Sequence, residues 1–550
     1  MLFRTLLVTA ALVGATTALL PLHAPTVAIG NTTYIGSRSA PNVEVFRGIP
    51  YAKPPIGDLR LRAPVPASPP RPGLFDATKY GHSCYSLVFN SPNVNSPNNI
   101  LAQLTTALGN SIIGQLATSL LGNFFLLTGG GNLFAQSEDC LFVLGAPDYP
   151  PEAFIEKSVN LSTPVILVSM SYRVAAYGFL AGKQVKANGT ANIGLLDQRL
   201  AFQWVQNNIG SFGGDKTKVT LWGESAGAVS IGMHLVAYGA KSSRGLYRAA
   251  IAESGSPYRL PRTEDLQTGF DIMVNSTGCA KSKLGGLECL RRVSTGKFNA
   301  AMSQVPGLFS WRGVGLFFKP TVDGTFLPAA PDQLAAQGRY NQDVALINGD
   351  QDDEGTLLTL APSSNTTTPA QYEDWIRQAV FVNITDAQLA RLNELYPNDP
   401  SAGSPFGTGT ANDKGQNKRM AAVFGDVIFQ GPRRKWLGVT TKTQPTYSYI
   451  YRAHKNDTSL GSFHVLELFN TYGYVKERLT DEMQARWIHF INTGSPNPAS
   501  ATLPTWPTYG SGKNILAFYD NITTVEVDNQ RVEPINYVLS LNAQGVGFPL

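Results

Sequence analysis

The pentapeptide Gly223-Glu224-Ser225-Ala226-Gly227 directly follows the apolar run Val219-Thr220-Leu221-Trp222. The run reads as a buried strand, and the small residues after Ser225 as the opening of a helix. G-x-S-x-G between strand and helix is the pattern of a nucleophile elbow, a turn sharp enough to present a serine hydroxyl at its tip. Glycines two positions either side of the serine relieve crowding in so tight a turn. In a chain rich in glycine and serine the pattern alone is weak. Its placement gives it weight.

A serine hydroxyl is a poor nucleophile at neutral pH. It needs an imidazole to take its proton and an acid to hold the imidazole in one tautomer. With this elbow the chain order is Ser, then Asp or Glu, then His. His454, His464 and His489 all lie late enough in the chain. His489 sits between Trp487 and Phe490 in an amphipathic pattern, which predicts a helix-packing role. His454 falls in the charged turn Arg452-Ala453-His454-Lys455 and is expected to be solvated. His464 follows Gly461-Ser462-Phe463 at a loop-to-apolar junction, where a loop-borne base would sit. For the acid, the strand pattern Val344 to Asn348 runs into Gly349-Asp350-Gln351-Asp352-Asp353-Glu354-Gly355. A calcium loop starting at Asp350 would need glutamate where Ala361 stands. Among the carboxylates Asp350, Asp352, Asp353 and Glu354, spacing does not choose.

The elements that must position these groups follow from periodicity. Pro164 to Ser171, the Val219 run, Ala249 to Glu253, Val344 to Asn348 and Thr446 to Tyr451 read as strands. Leu195 to Asn208 and the stretch after Ser225 read as helices. The alternation predicts an α/β fold, a mostly parallel central sheet flanked by helices, in a single domain spanning 19–550. Between Cys84 and Cys140, Leu104, Leu108, Ile112, Leu116, Leu120 and Phe124 recur every four residues. A strict period of four drifts about 40° per step on an α-helix, so the stripe cannot stay on one straight face. It predicts two short amphipathic helices within 85–139, broken at Gly109-Asn110, Gly114 or Gly122. They would form either a core-packed pair or a mobile lid over an apolar pocket.

The chain of 550 residues is 43% hydrophobic, ample for a sizeable core, and its net charge of +5 is spread without Lys/Arg blocks. That excludes a nucleic-acid footprint. Arg4, the apolar stretch Thr5 to Leu20 and the small residues Thr16-Thr17-Ala18 predict a signal peptide over 1–18, with Ala24 as an alternative cleavage point. The stretch is too short for a transmembrane segment. Secretion permits disulfides, and four cysteines allow more than one pairing. Cys279 and Cys289, flanking Gly285-Gly286, suit a local clip, which leaves Cys84 with Cys140. No C-x-x-C and no histidine pair has metal-ligand spacing, so no metal is expected. Eight N-x-S/T sequons are compatible with a glycoprotein.

Several further segments occur in order along the chain: Phe46-Arg47-Gly48-Ile49-Pro50-Tyr51-Ala52-Lys53-Pro54-Pro55, Ser137-Glu138-Asp139-Cys140-Leu141 and Ser171-Tyr172-Arg173. Asn192-Ile193-Gly194-Leu195-Leu196-Asp197-Gln198-Arg199, the elbow, Gly349 to Gly355 and Phe463-His464 complete the series. Together they resemble the type-B carboxylesterase/lipase family, α/β hydrolases that include secreted fungal lipases and the cholinesterases. The resemblance implies Ser225 as nucleophile, Glu354 as acid, His464 as base, and disulfides Cys84–Cys140 and Cys279–Cys289. In lipase members the first disulfide loop carries the lid. The implied activity is secreted carboxylic ester hydrolysis through an acyl-enzyme, with no cofactor. An ester or lipid is the implied substrate, and an oil–water interface the implied place of action. A non-catalytic binding or adhesion protein on the same fold is the alternative.

One departure bears on catalysis. The family follows its SEDCL segment with a strand and a glycine-rich loop whose N–H groups stabilise the oxyanion. Here Leu141-Phe142 runs on into Val143-Leu144-Gly145-Ala146-Pro147-Asp148-Tyr149-Pro150-Pro151, and neither strand nor loop is present. The Ala226 N–H is left as the expected donor, and losing one donor costs about 10²–10³-fold in turnover. Gly129-Gly130-Gly131, or Phe142-Val143-Leu144 with Gly145-Ala146, are the candidate replacements. A missing central strand would also leave sheet backbone unpaired.

Overall fold

The computed structural model describes residues 24–68, 72–86, 97–119, 136–143, 151–240, 245–312, 316–500 and 502–547. At its centre six strands lie in chain order: β1 (Thr220–Glu224), β2 (Ala249–Glu253), β3 (Ala345–Gln351), β4 (Thr446–Tyr451), β5 (Asn514–Phe518) and β6 (Thr523–Val527). β1 to β5 are parallel and β6 closes the sheet antiparallel. Around the sheet pack α1 (Pro97–Leu108) and α2 (112–119), α3 (Ile193–Asn208), α4 (Ala226–Val236), α5 (Gly431–Thr440) and α6 (Arg478–Thr493).

The strand sequences explain the layering. Parallel strands covered by helices on both faces are apolar throughout, and every residue of β2 and β4 is buried. Alternate residues feed opposite cores. Ile251, Ile347 and Tyr449 enter one cluster, which holds Trp487 of α6, while Ala250 and Leu346 enter another with Ile231 and Leu235 of α4. The expected strands at 249–253, 344–348 and 446–451 are present, as is the helix at 195–208. No helix among the described residues is long and apolar enough to cross a membrane. Both disulfides, Cys84–Cys140 and Cys279–Cys289, are formed.

Pro164 to Ser171 departs from expectation. No strand forms there; Met170 alone bridges, antiparallel, to Val143. Phe142–Val143 pairs with Ile49–Pro50, so it does not fill a place beside β1. Among the described residues β1 has β2 as its one neighbour and is an edge strand. An apolar run becomes a strand only when a neighbouring strand takes up its backbone groups, and among the described residues no strand pairs with Pro164 to Ser169. Ile166 is left 47% exposed. Residues 1–18, Gly129 to Gly131, and Leu144 with Gly145 and Ala146 lie outside the described residues.

The helix pair between Cys84 and Cys140 is present in α1 and α2. The break falls at Gly109, whose φ of +67° suits glycine. Gly114 does not break α2. It lets the helix approach closely, since a Cβ there would lie 2.1 Å from the Leu108 carbonyl oxygen. The turn resets the helical phase, so Ile113 is buried in place of Ile112, which is 76% exposed. Leu104, Ala107, Leu108, Ile113 and Ala117 join the main core; Leu120, Gly122 and Phe124 lie outside the described residues.

Candidate active site

β1 delivers Ser225 at its carboxyl end, with φ 55° and ψ −117°. A non-glycine residue held there costs about 1–3 kcal/mol, which the surroundings must offset. The Ser225 N–H donates to the Glu253 carbonyl (2.9 Å), and its own carbonyl accepts from Val229 N–H in α4 (2.9 Å). Gly223 is required sterically, because its Cβ would lie 2.6 Å from the Gly227 carbonyl carbon. Gly227 is different: a Cβ there meets nothing within 4 Å, so only one glycine of the motif answers the expected crowding. Gly255 supplies the other close approach, where a Cβ would lie 2.8 Å from the Ser225 carbonyl oxygen.

The four carboxylates at the end of β3 and just beyond it are sorted by what faces them. Asp350 accepts from Arg433 Nε of α5 at 2.8 Å, and Asp352 pairs with Lys455. Asp353 accepts the backbone N–H groups of Ser462 (2.9 Å) and Phe406 (2.8 Å). Glu354 turns to the imidazole: its Oε2 lies 2.6 Å from His464 Nδ1, and its Oε1 accepts the Gln351 N–H at 2.7 Å. His464 Nε2 lies 2.8 Å from Ser225 Oγ. A carboxylate accepts, so Nδ1 carries the proton and Nε2 is free to accept from the serine. His464 is 3% and Glu354 1% exposed. The Phe429 ring, 4.8 Å from the imidazole, backs it. All three groups therefore stand beyond the carboxyl ends of β1, β3 and β4, on one edge of a parallel sheet.

The other late histidines are held elsewhere. His489 is half-buried on α6 and bonds the Ser495 carbonyl at 2.7 Å, the expected packing role. His454 is not solvated. It is buried, with Nδ1 2.9 Å from Asp457 and Nε2 3.1 Å from Glu477, while its N–H donates to Asp520 at 2.6 Å. Burial lowers its pKa, but these carboxylates outweigh burial and the value is raised. The turn is charged because it encloses an ion cluster, which local composition does not distinguish from a wet surface.

Sequence reasoning missed a group of buried acids beside the site. Glu224 Oε1 lies 3.2 Å from His464 Nε2. Glu253 accepts from Trp487 Nε1 at 2.6 Å, and Glu467 accepts from the Tyr449 hydroxyl at 3.3 Å. Burial lifts the Glu253 pKa to about 7. Burial and mutual repulsion raise Glu224 and Glu467 well above the ordinary carboxylate range. A signal was available, since a glutamate ending an otherwise apolar run such as Ala-Ala-Ile-Ala-Glu is a flag for a perturbed acid.

Ala226, expected to donate to an oxyanion, is solvent-exposed as the first residue of α4. N–H groups of a first helical turn lack intrahelical acceptors and carry the positive end of the helix dipole. Residues 144–150, where a second set of donors would arise, lie outside the described residues.

A parallel sheet presenting a serine elbow, with an acid and a histidine converging from neighbouring strand ends, is the architecture of an α/β hydrolase. The model of the carboxylesterase family matches residues 26–533, and the chain belongs to that family. Its reaction is the hydrolysis of a carboxylic ester. It is 36% identical to "Secreted lipase 1" of Botryotinia fuckeliana, over 94% of this chain and 93% of that relative. It is 33% identical to "Lipase 1" of Geotrichum candidum, over 94% and 95%. The crystal structure of Aspergillus niger EstA superposes with a TM-score of 0.73 at 25% identity, covering 94% of this chain and 98% of that one.

Proposed function

We propose that this protein is a secreted lipase-like esterase working through an acyl-enzyme. Ser225 attacks the ester carbonyl, and His464 takes its proton and returns it to the leaving alcohol. Glu354 holds the imidazole in the productive tautomer, and water then releases the acid by the reverse sequence. One observation carries this reading: the unbroken relay from Glu354 through His464 to Ser225, with contacts of 2.6 and 2.8 Å. The names of the fungal relatives favour lipid esters and secretion, as does the leader expected over 1–18. We assign 19–550 to one domain and treat 85–139 as a lid region. The apolar stripe within 85–139 favours long acyl chains as substrate and an oil–water interface as the place of action.

The oxyanion is served by the Ala226 N–H at the amino end of α4, without the usual glycine-rich loop. Each missing donor lowers turnover by about 10²–10³-fold, so the enzyme is slow for its family. A second reading, a binding protein on the same fold, is favoured by the edge of β1, which has no partner beyond β2 among the described residues. Phosphonate labelling separates the two. The esterase is labelled at Ser225, and Ser225→Ala loses about 10⁵–10⁶-fold in kcat on a fluorogenic ester. Undiminished hydrolysis by Ser225→Ala removes the serine from the mechanism.

A further inference from the structure

We propose that Asp353 is the positioning residue of this site, its carboxylate fixing the base-bearing loop against the acid-bearing loop. The inference rests on His464 and Glu354 acting as base and acid. Asp353 is fully buried and stands next to Glu354 in the chain. Its Oδ2 accepts the N–H of Ser462, two residues before His464, at 2.9 Å, and its own N–H donates to the Ser462 carbonyl at 3.0 Å. Asp353 and Phe463 thereby form a parallel bridge. The other oxygen, Oδ1, accepts from Phe406 N–H at 2.8 Å and Ser404 Oγ at 2.9 Å. One side chain thus ties three segments together. Gly461 marks how closely they approach: at φ +70° its Cβ would lie 2.4 Å from Oδ2, which excludes any other residue.

Asp353 does not touch the imidazole. Its effect passes through the backbone from Ser462 to His464, so it belongs to positioning and not to proton transfer. The Ser462 and Phe406 N–H groups are fixed donors and only the Ser404 hydroxyl could turn to accept, so the ionised carboxylate is the form that satisfies all three at once. The clamp therefore holds in the ionised form. Lys455, 3.4 Å from Oδ2 and also paired with Asp352, supplies the nearest cation. Lys418 is the other cation facing it, and Asp352 the facing anion. Burial, then Asp352, raises the Asp353 pKa to about 6. Clamping is complete above that value and lost as pH falls through it.

The test uses the full-length enzyme. Asp353→Asn keeps the shape but turns an amide NH₂ against a backbone N–H. Since a displacement of about 1 Å at a reacting group costs about 10²-fold, kcat falls by about 10–100-fold with KM within about threefold. Phosphonylation of Ser225 slows by the same factor, and the acid limb of the kcat–pH profile becomes shallower near 6, because the Asp353 proton no longer contributes to it. Lys455→Met keeps every hydrogen bond to Asp353 and removes the cation, so the acid limb moves to higher pH. A folded Asp353→Asn enzyme with wild-type kcat and acid limb overturns the proposal. If that variant does not fold, an unmoved limb in Lys455→Met overturns it. A wild-type enzyme that resists phosphonylation defeats the triad reading and this inference together; normal labelling in wild type and in Asp353→Asn alike defeats the inference alone.

Discussion

Glu354 and Asp353 are neighbours in the chain, yet one faces the imidazole and the other the backbone of the loop that carries it. What separates them is the direction each side chain takes from a buried turn, a property of the packed loop. That is why spacing named the acidic cluster and could not choose among its members, whereas the family resemblance points to Glu354. Charge alone does not mark the acid either, because Asp350 and Asp352 are each paired with a cation. Glu354→Gln tests the assignment. An amide there holds the wrong tautomer at Nδ1, and kcat should fall by roughly 10³–10⁴-fold with KM little changed. Asp352→Asn, acting on Lys455 and Arg452 away from the imidazole, should cost far less. Steady-state kinetics on one soluble ester ranks the two. A Glu354→Gln enzyme within about tenfold of wild type would remove Glu354 from the relay.

At the scale of elements, the parallel strands were legible because burial on both faces writes a continuous apolar run. Ala249 to Glu253 and Thr446 to Tyr451 have the bounds expected of them. Pro164 to Ser171 carries the same signal and forms no strand, because strand formation belongs to a pair and among the described residues this run has only the single bridge from Met170 to Val143. The four-residue stripe likewise announced two helices, but neither which of the three glycine sites would break them nor the change of phase that buries Ile113. The end of α1 has a further tie. The Ala107 carbonyl accepts both the N–H (2.9 Å) and the hydroxyl (2.7 Å) of Ser459, on the loop that leads to His464. If α1 belongs to the proposed lid, the latch to the loop carrying His464 should loosen when one of these bonds is removed. Ser459→Ala forfeits about 1 kcal/mol, and its rate on a soluble short-chain ester, with no interface present, should rise up to about fivefold. Comparing rates below and above the substrate's solubility limit provides the check. An unchanged rate with a small loss of Tm would make α1 a core helix.

Taken whole, the molecule concentrates acids of raised pKa along the sheet edge where Ser225, His464 and Glu354 meet. Glu253 and Asp350 are lifted to about 7 by burial, and Glu224 and Glu467 are lifted well above the ordinary range in the same direction. A carboxyl whose folded pKa exceeds its unfolded value of 4.5 stabilises the fold most fully below 4.5 and loses that contribution as pH rises through about 7. His454, raised by its carboxylates, adds in the same sense. On the acid side Asp528, held at about 2 against burial by Arg433 and Arg434, loses its contribution as pH falls from 3.8 toward that value. Thermal stability should therefore peak in mildly acidic solution and fall by several degrees between about pH 5 and pH 8. Scanning calorimetry across that range reads it directly, and a Tm that climbs toward about pH 8 would show the cluster ionised in place. Glu253→Gln isolates one contributor. The amide oxygen can still accept from Trp487 Nε1, but the side chain no longer has a charge to bury. Tm should match wild type near about pH 5 and exceed it at about pH 8, so the slope flattens. A variant that loses stability equally at both values would mean that Glu253 is needed as an anion, and the acid-rich edge would then be a store of negative charge facing His464.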